Sequence, residues 1–389
     1  MLKYSISLVL KIVILSFFPL SLIAQNNTHK LAYLSKDYKK YGLETTNIPA
    51  VWEDGLRTTG GKGSYEWWYF DTHLEDGSSA VIVFYTKDFV QANRKMTPTI
   101  SLNIDRPDGT KIARRIEYKA SEATFLKDSC YVQIGKSYFK GNLKEYEIHF
   151  EGEGLTIDAK LTRQTNSWRP KTGHVVFGEQ EENYFAWVVP VPQGKVEFSY
   201  SLDDEKKQLK GNGYHDHNWG NISIMELFNH WYWSRAKVGP YNIIAFEMIA
   251  EKKYDKEPIV LLNISKNGKT IVDNEAVVDV YRSYGKLHPK LKKDISDNLL
   301  WVYDNPADGY RYEYGLFREK SMLEVDMLAV VVPSGFIRFF VRALTGFSGS
   351  YYRFTGPTVL RVFKDNVLIE EHKTDASIWE LMYFGKVQR

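Results

Sequence analysis

The stretch GNGYHDHNWG, Gly211 to Gly220, sets two histidines, an aspartate, an asparagine and two aromatic rings between glycines. Side chains alternate along an extended strand, so His215, His217 and Trp219 share one face and Tyr214, Asp216 and Asn218 the other. An earlier stretch, YEWWYFDTH from Tyr65 to His73, divides in the same way. Trp67, Tyr69 and Asp71 lie on one face there, and Glu66, Trp68 and Phe70 on the other. Two polar-aromatic strands of this kind can wall a cavity.

The chain around them is strand-like. Short β-branched or alternating runs such as AVIVFYT (Ala80–Thr86), KEYEIHFEG, LTIDAKLTR, YNIIAFEMIA and AVVDVYRS recur between Asp-Gly and Asn-Gly turn signals. Long amphipathic helices are scarce, so the sequence predicts an all-β protein of antiparallel barrels or sandwiches. One helix is expected in SGFIRFFVRALTG. Phe336, Phe339, Phe340, Ala343 and Leu344 recur there at helical spacing, with Arg338 and Arg342 off that face. It either caps a barrel or touches lipid through its phenylalanines.

The first residues, MLKYSISLVLKIVILSFFPLSLIAQNN, read as a secretory signal peptide ending near Ala24, and so predict export to the periplasm or beyond; an uncleaved anchor is the alternative. Losing Lys3 and Lys11 with residues 1–24 lowers the formal charge from +3 to +1. Nucleic acid is therefore not an expected partner. Cys130 is the only cysteine, which excludes an intramolecular disulfide. Stability must come from core burial. The 10 Trp, 26 Tyr and 21 Phe suit pleated, half-buried surfaces and apolar pockets alike.

Familiar catalytic signatures are missing. There is no Gly-x-Ser-x-Gly elbow, His-Glu-x-x-His pair or P-loop. Four readings of the His-Asp-His cluster compete. It is a structural corner of turn caps and packed rings; or a metal site, with Glu226, His230 or Asp71 as third ligand beside His215 and His217; or an acid–base site whose aromatic walls raise a carboxyl's pKa; or a binding pocket without chemistry. Glu247 is out of place in the apolar run NIIAFEMIA. A carboxylate there is either paired, with Arg235 as the expected partner, or held protonated and functional.

The motifs EWWYFD (Glu66–Asp71) and GYHDHNWG (Gly213–Gly220), with HWYWSRAKVGPYNIIAFE and YYRFTGP (Tyr351–Pro357), resemble the carotenoid 1,2-hydratase (hydroxyneurosporene synthase) family and AttH-type secreted hydrolase-like proteins. The resemblance runs from about residue 60 to 380. It implies two lipocalin-like antiparallel β-barrel domains with a pocket near their junction. It also implies cofactor-free water addition to a C=C bond of an isoprenoid chain. A carboxylic acid would protonate the alkene and aromatic rings would stabilise the cation. By position, the family's His-x-Trp falls on His217 and Trp219. Its tyrosine-and-aspartate strand falls on Phe246 and Glu247, where this chain departs from the pattern.

These readings give a signal peptide at 1–24, a lead-in at 25–58, a first domain at 59–222 and a second at 223–389. They predict an enzyme acting on a lipophilic, polyene-like substrate without cofactor or metal. Glu247 or Asp216 is the expected acid and His217 the water-orienting base. Trp67, Trp68, Tyr69, Tyr214, Trp219, Trp231, Trp233 and Phe246 are the expected substrate-binding walls. A lipocalin-type carrier and a secreted hydrolase are the alternative functions.

Overall fold

The computed structural model describes residues 30–283, 285–331 and 348–385. The expected signal peptide and the expected helix bearing Phe336, Phe339 and Phe340 lie outside the described residues. No helix among the described residues is long and apolar enough to cross a membrane.

The alternating runs form strands because each has an apolar face to bury and turn residues at its ends. Glu153-Gly154 and Asn267-Gly268, all with φ between +50° and +81°, close two-residue hairpins after Gly152 and Lys266. Both central residues must adopt positive φ in such turns, which matches strand twist. Among the described residues, thirteen strands make one antiparallel sheet and ten make a second. Each sheet curls into a lipocalin-like barrel around its own core. Trp68, Phe70, Phe84, Phe139, Ile148 and Phe150 fill the first, and Trp301, Tyr314, Tyr352, Phe354 and Trp379 the second.

The topologies match. In the first sheet Tyr65–Leu74 lies between Ser79–Lys87, its hairpin successor, and the long strand Glu205–Gly220. In the second, Phe228–Val238 lies between Tyr241–Ala250 and the long strand Val367–Tyr383. The EWWYF and HWYWS stretches thus occupy equivalent places. The first sheet ends at Gly220 and the second begins at Phe228, joined through the short helix Ile224–Leu227.

A third apolar layer lies between the barrels. Tyr65, Phe185, Trp187 and Tyr214 from the first sheet meet Phe228, Trp231, Ile244, Phe246 and Met248 from the second. Strands at this junction bury both faces, which explains why both faces of the signature motifs are aromatic. The lead-in is built into the first barrel. Ala32–Leu34 pairs with His174–Phe177, and the 3-10 turn Val51–Asp54 buries Glu53 against Arg169 as a direct ion pair. Among the described residues the second sheet does not close on itself: Pro258–Lys266 lies near one end of its strand order and Val278–Ser283 at the other.

Candidate functional site

Strand alternation distributes the signature residues among three environments. His215 and His217 point into the first barrel, where both are 0 % exposed. His217 stacks on Trp68 at 4.5 Å between ring centres. Its Nε2 donates to Glu66 Oε1 at 2.8 Å, and Glu66 also accepts from Arg57 N, Thr58 N and Thr58 Oγ1. His215 Nδ1 donates to the Tyr69 carbonyl at 2.9 Å. The facing atoms of both rings approach Asp54, at 3.2 Å from His215 and 3.5 Å from His217. The glycines before the motif allow this tight pairing, since a Cβ on Gly211 would lie 2.2 Å from the His73 carbonyl oxygen.

Asp216 points the other way, into the layer between the barrels. Its carboxylate accepts from Trp187 Nε1 (2.9 Å), Tyr214 OH (2.8 Å) and Asn218 Nδ2 (2.8 Å). Burial pushes its pKa up to about 6, although the three donors pull it down. Beside it, Arg235 of the second barrel forms a bidentate ion pair with Asp71 of the first, and Tyr69 OH donates to the same carboxylate. Trp233 packs edge-on against Tyr69 and Tyr214, and Trp187 against Phe246. The cavity that touches Tyr69, Trp233 and Arg235 measures about 30 Å³, room for a water. The expected walls Trp67, Tyr69, Tyr214, Trp231, Trp233 and Phe246 therefore pack on one another here. Trp68 faces the first barrel's core, and Trp219 lies against His217 and His174.

Glu247 faces a third way, beside the second barrel's interior. Its neighbours across the sheet are Tyr232 and Val260. Arg235 is not its partner, because Arg235 pairs in register with Ile244 and so points to the opposite face. The partner is Arg282, whose Nη2 lies 3.2 Å from Glu247 Oε1. Arg282 also reaches His230 Nε2 at 3.2 Å. Glu247 is 3 % exposed, and its Oε2 has no hydrogen-bond partner. Burial raises its pKa and Arg282 opposes the rise.

A cavity of about 790 Å³ opens where the second sheet fails to close. Leu34, Pro258, Ile259, Val260, Val278 and Val280 line it, with Glu247 and Arg282 among them and Lys30, Lys36, Glu275 and Asp279 also on its wall. This size suits a drug-sized or polyene ligand. The expected trio is thus not brought together: Asp216 lies between the barrels, His217 inside the first, and Glu247 in the second beside the open cavity. The third metal ligands expected for His215 and His217 are also elsewhere. Glu226 pairs with Lys253, Asp71 with Arg235, and His230 lies against Asn229 and Arg282.

Three relevant residues escaped the sequence reading. Arg282 follows Val278 and Val280 on one strand face, so the alternation of VDVYRS carried its signal. Asp54 sits in VWEDG, an acidic pair beside a tryptophan in an otherwise polar lead-in. Nothing local marked Cys130, whose thiol faces the same chamber as Asp54 and His215.

Two antiparallel barrels joined through an aromatic layer define a lipocalin-like protein with a side-opening cavity. The chain matches the Diels-Alderase-like family model over residues 37–282, more than half its length, and belongs to that family. It is 25% identical over 209 residues to a hydroxyneurosporene dehydrogenase of Chlorobaculum tepidum, covering 45% of this chain and 54% of the relative. It is 24% identical over 215 residues to the hexane cyclase gkaB of Penicillium citrinum, covering 48% and 46%. The chain therefore spans about half the length of these curated relatives.

Among solved structures, CghA with Sch210972 superposes with a TM-score of 0.57 at 13% identity, covering 92% of this chain and 98% of CghA. An AttH-type protein of Nitrosomonas europaea gives 0.54 at 13% identity, covering 84% and 97%. Kievitone hydratase of Nectria haematococca gives 0.53 at 12% identity, covering 87% and 94%. These likenesses establish the fold, and the hydroxyneurosporene- and AttH-type resemblance holds at the level of family.

Proposed function

We propose that the protein is a cofactor-free enzyme that moves a proton on a lipophilic, polyene-like substrate, by water addition or a related cyclisation. The observation that carries this reading is Glu247. It offers a nearly buried carboxyl with one unpartnered oxygen on the wall of a cavity of about 790 Å³ lined by both apolar and charged side chains. Burial favours the protonated form, which can donate. In the step, the Glu247 proton bonds to one alkene carbon and the C=C electron pair forms that bond. The neighbouring carbon becomes cationic and captures either water or a second alkene of the same chain. Loss of a proton to the Glu247 carboxylate completes the cycle, and Arg282 steadies the carboxylate in between.

The family relationship supports small-molecule chemistry of this kind, since relatives are named as a cyclase and a hydroxyneurosporene dehydrogenase. The apolar N-terminal run supports export as the setting. Asp216, held by three donors among packed aromatic rings, fits better as part of the domain junction.

The test is incubation of the full chain with a panel of acyclic polyenes and mass analysis of the products. The wild type should give either a one-water mass gain or an isobaric product of changed retention. Glu247→Gln should lower turnover by about 100-fold or more, the usual worth of a positioned acid. Undiminished turnover in that variant would remove Glu247 from the chemistry. Tight binding with unchanged ligand recovered would instead make the protein a carrier.

A further inference from the structure

The chamber inside the first barrel poses an electrostatic puzzle. The Tyr69 carbonyl can only accept, so in its neutral form His215 carries its proton on Nδ1 and presents the Nε2 lone pair to Asp54. Glu66 has three other donors on its carboxylate, so it too accepts, and His217 carries its proton on Nε2. The lone pair of His217 Nδ1 therefore also faces Asp54. That nitrogen and Asp54 Oδ1, 3.5 Å apart and fully buried, have no hydrogen-bond partner. With both rings neutral, two imidazole lone pairs converge on a carboxylate that has only lone pairs to offer.

The Cys130 sulfur completes the set. Asp54, Cys130 and His215 each present a ligand atom, all within 4.8 Å of one another. Two ligands bound about 2.0–2.1 Å from a tetrahedral cation lie ~3.3 Å apart. The His215 Nε2–Asp54 Oδ2 separation of 3.2 Å fits that spacing, while His217 Nδ1 lies 3.5 Å from the other carboxylate oxygen. The outer contact of His215, Nδ1 to the Tyr69 carbonyl, is one that a metal-bound histidine usually makes. Tyr146 OH adds a hydrogen bond to Asp54 Oδ2 at 2.5 Å.

We propose that the first barrel binds one transition-metal ion of the zinc class through Asp54, Cys130 and His215, with His217 facing the other oxygen of Asp54. A thiolate, an imidazole and a carboxylate suit zinc. The S–H proton of Cys130 leaves to solvent as the metal–sulfur bond forms. Trp68, Phe139 and Tyr146 rings pack against the two imidazoles. Its three ligands are buried, so the ion is structural, ties the lead-in turn Val51–Asp54 to the barrel, and stands apart from the Glu247 cavity.

The test loads the full chain with zinc or cobalt, removes loose ion by gel filtration and measures bound metal per chain. One equivalent should remain, and the cobalt form should show sulfur-to-cobalt charge-transfer absorption. His215→Gln and Cys130→Ala should each lower retention at least tenfold, with intrinsic tryptophan fluorescence reporting whether they fold. Should a variant fail to fold, the wild-type cobalt spectrum decides, because absence of the sulfur band overturns the assignment. Retention below a tenth of an equivalent in folded wild type also overturns it, and means that an extra proton bridges Asp54 and a histidine. Retention unaffected in folded variants places the ion elsewhere and overturns it too. The result is independent of polyene turnover, so either proposal can fail alone.

Discussion

The two barrels share a strand order and differ in what they enclose. The first encloses a sealed polar cluster, in which Glu66 alone receives three donors from the Arg57–Thr58 segment and one from His217. The second encloses Trp301, Tyr352 and Trp379, whose polar atoms have no partner, and opens sideways beside Glu247. One frame thus supports both a closed hydrogen-bonded plug and a reaction-sized cavity. The lesson is that equivalent strand orders can carry different interiors: a carboxylate met by four donors serves the packing, while one with an unmet oxygen on a cavity wall leaves a ligand something to answer.

The largest expected difference between the barrels lies at Glu66. Glu66→Ala would orphan the amides of Arg57 and Thr58, the Thr58 hydroxyl and His217 Nε2 in a site that water does not reach. At about 1–3 kcal/mol for each buried donor left unmet, the loss should reach roughly 4 kcal/mol. Urea unfolding followed by tryptophan fluorescence measures it. A loss under about 1 kcal/mol would show that the cluster is not a closed plug.

A smaller effect concerns pH. His174, stacked on Tyr41 in the first barrel and donating to the Thr172 carbonyl, has its pKa lowered to about 4 by burial. The unfolded chain protonates near 6.5, so acid favours unfolding between pH 6.5 and 4. From pH 7 to pH 5 this one group should cost about 2 kcal/mol. The cost should vanish in His174→Gln, which keeps a donor but cannot titrate. His230 in the second barrel, lowered to about 3 with Arg282 as a further cause after burial, adds the same sign of dependence. Equal acid sensitivity of wild type and His174→Gln would assign the acid limb to other groups.

The sequence made the strands legible because alternation and turn chemistry are local signals. It also exposed the signature motifs as strands with two distinct faces. What each face meets is set by distant segments. His217 and Asp216 are adjacent in sequence, yet one faces the core of its own barrel and the other the partner barrel. Both faces are aromatic, so composition alone could not separate a pocket wall from a domain junction. Glu247 stood out because a carboxylate amid apolar residues has a cost wherever the chain goes. Its partner did not, since Arg235 was near in sequence while Arg282 arrives from the far edge of the sheet. Asp54 was hidden by the polar composition of the lead-in, which reads as solvated although its acidic turn is buried.

The smallest expected change in stability is at Glu247, and it sharpens the contrast most. Its carboxyl has one ion-pair partner, and the Arg282 side chain is about a third exposed, at 35%. Burial raises the folded pKa above 4.5, so Glu247 favours the fold below that pH and loses that advantage as pH rises through the raised value. Glu247→Gln removes a poorly solvated charge and leaves Arg282 in contact with water. Its stability at pH 7 should therefore lie within about 1 kcal/mol of wild type, or above it. The same substitution should abolish most turnover. A residue that costs the fold little to lose and the reaction much is one held there for chemistry. If Glu247→Gln instead unfolds as readily as Glu66→Ala, then Glu247 is a structural pair like those of the first barrel, and the two chambers differ in shape alone.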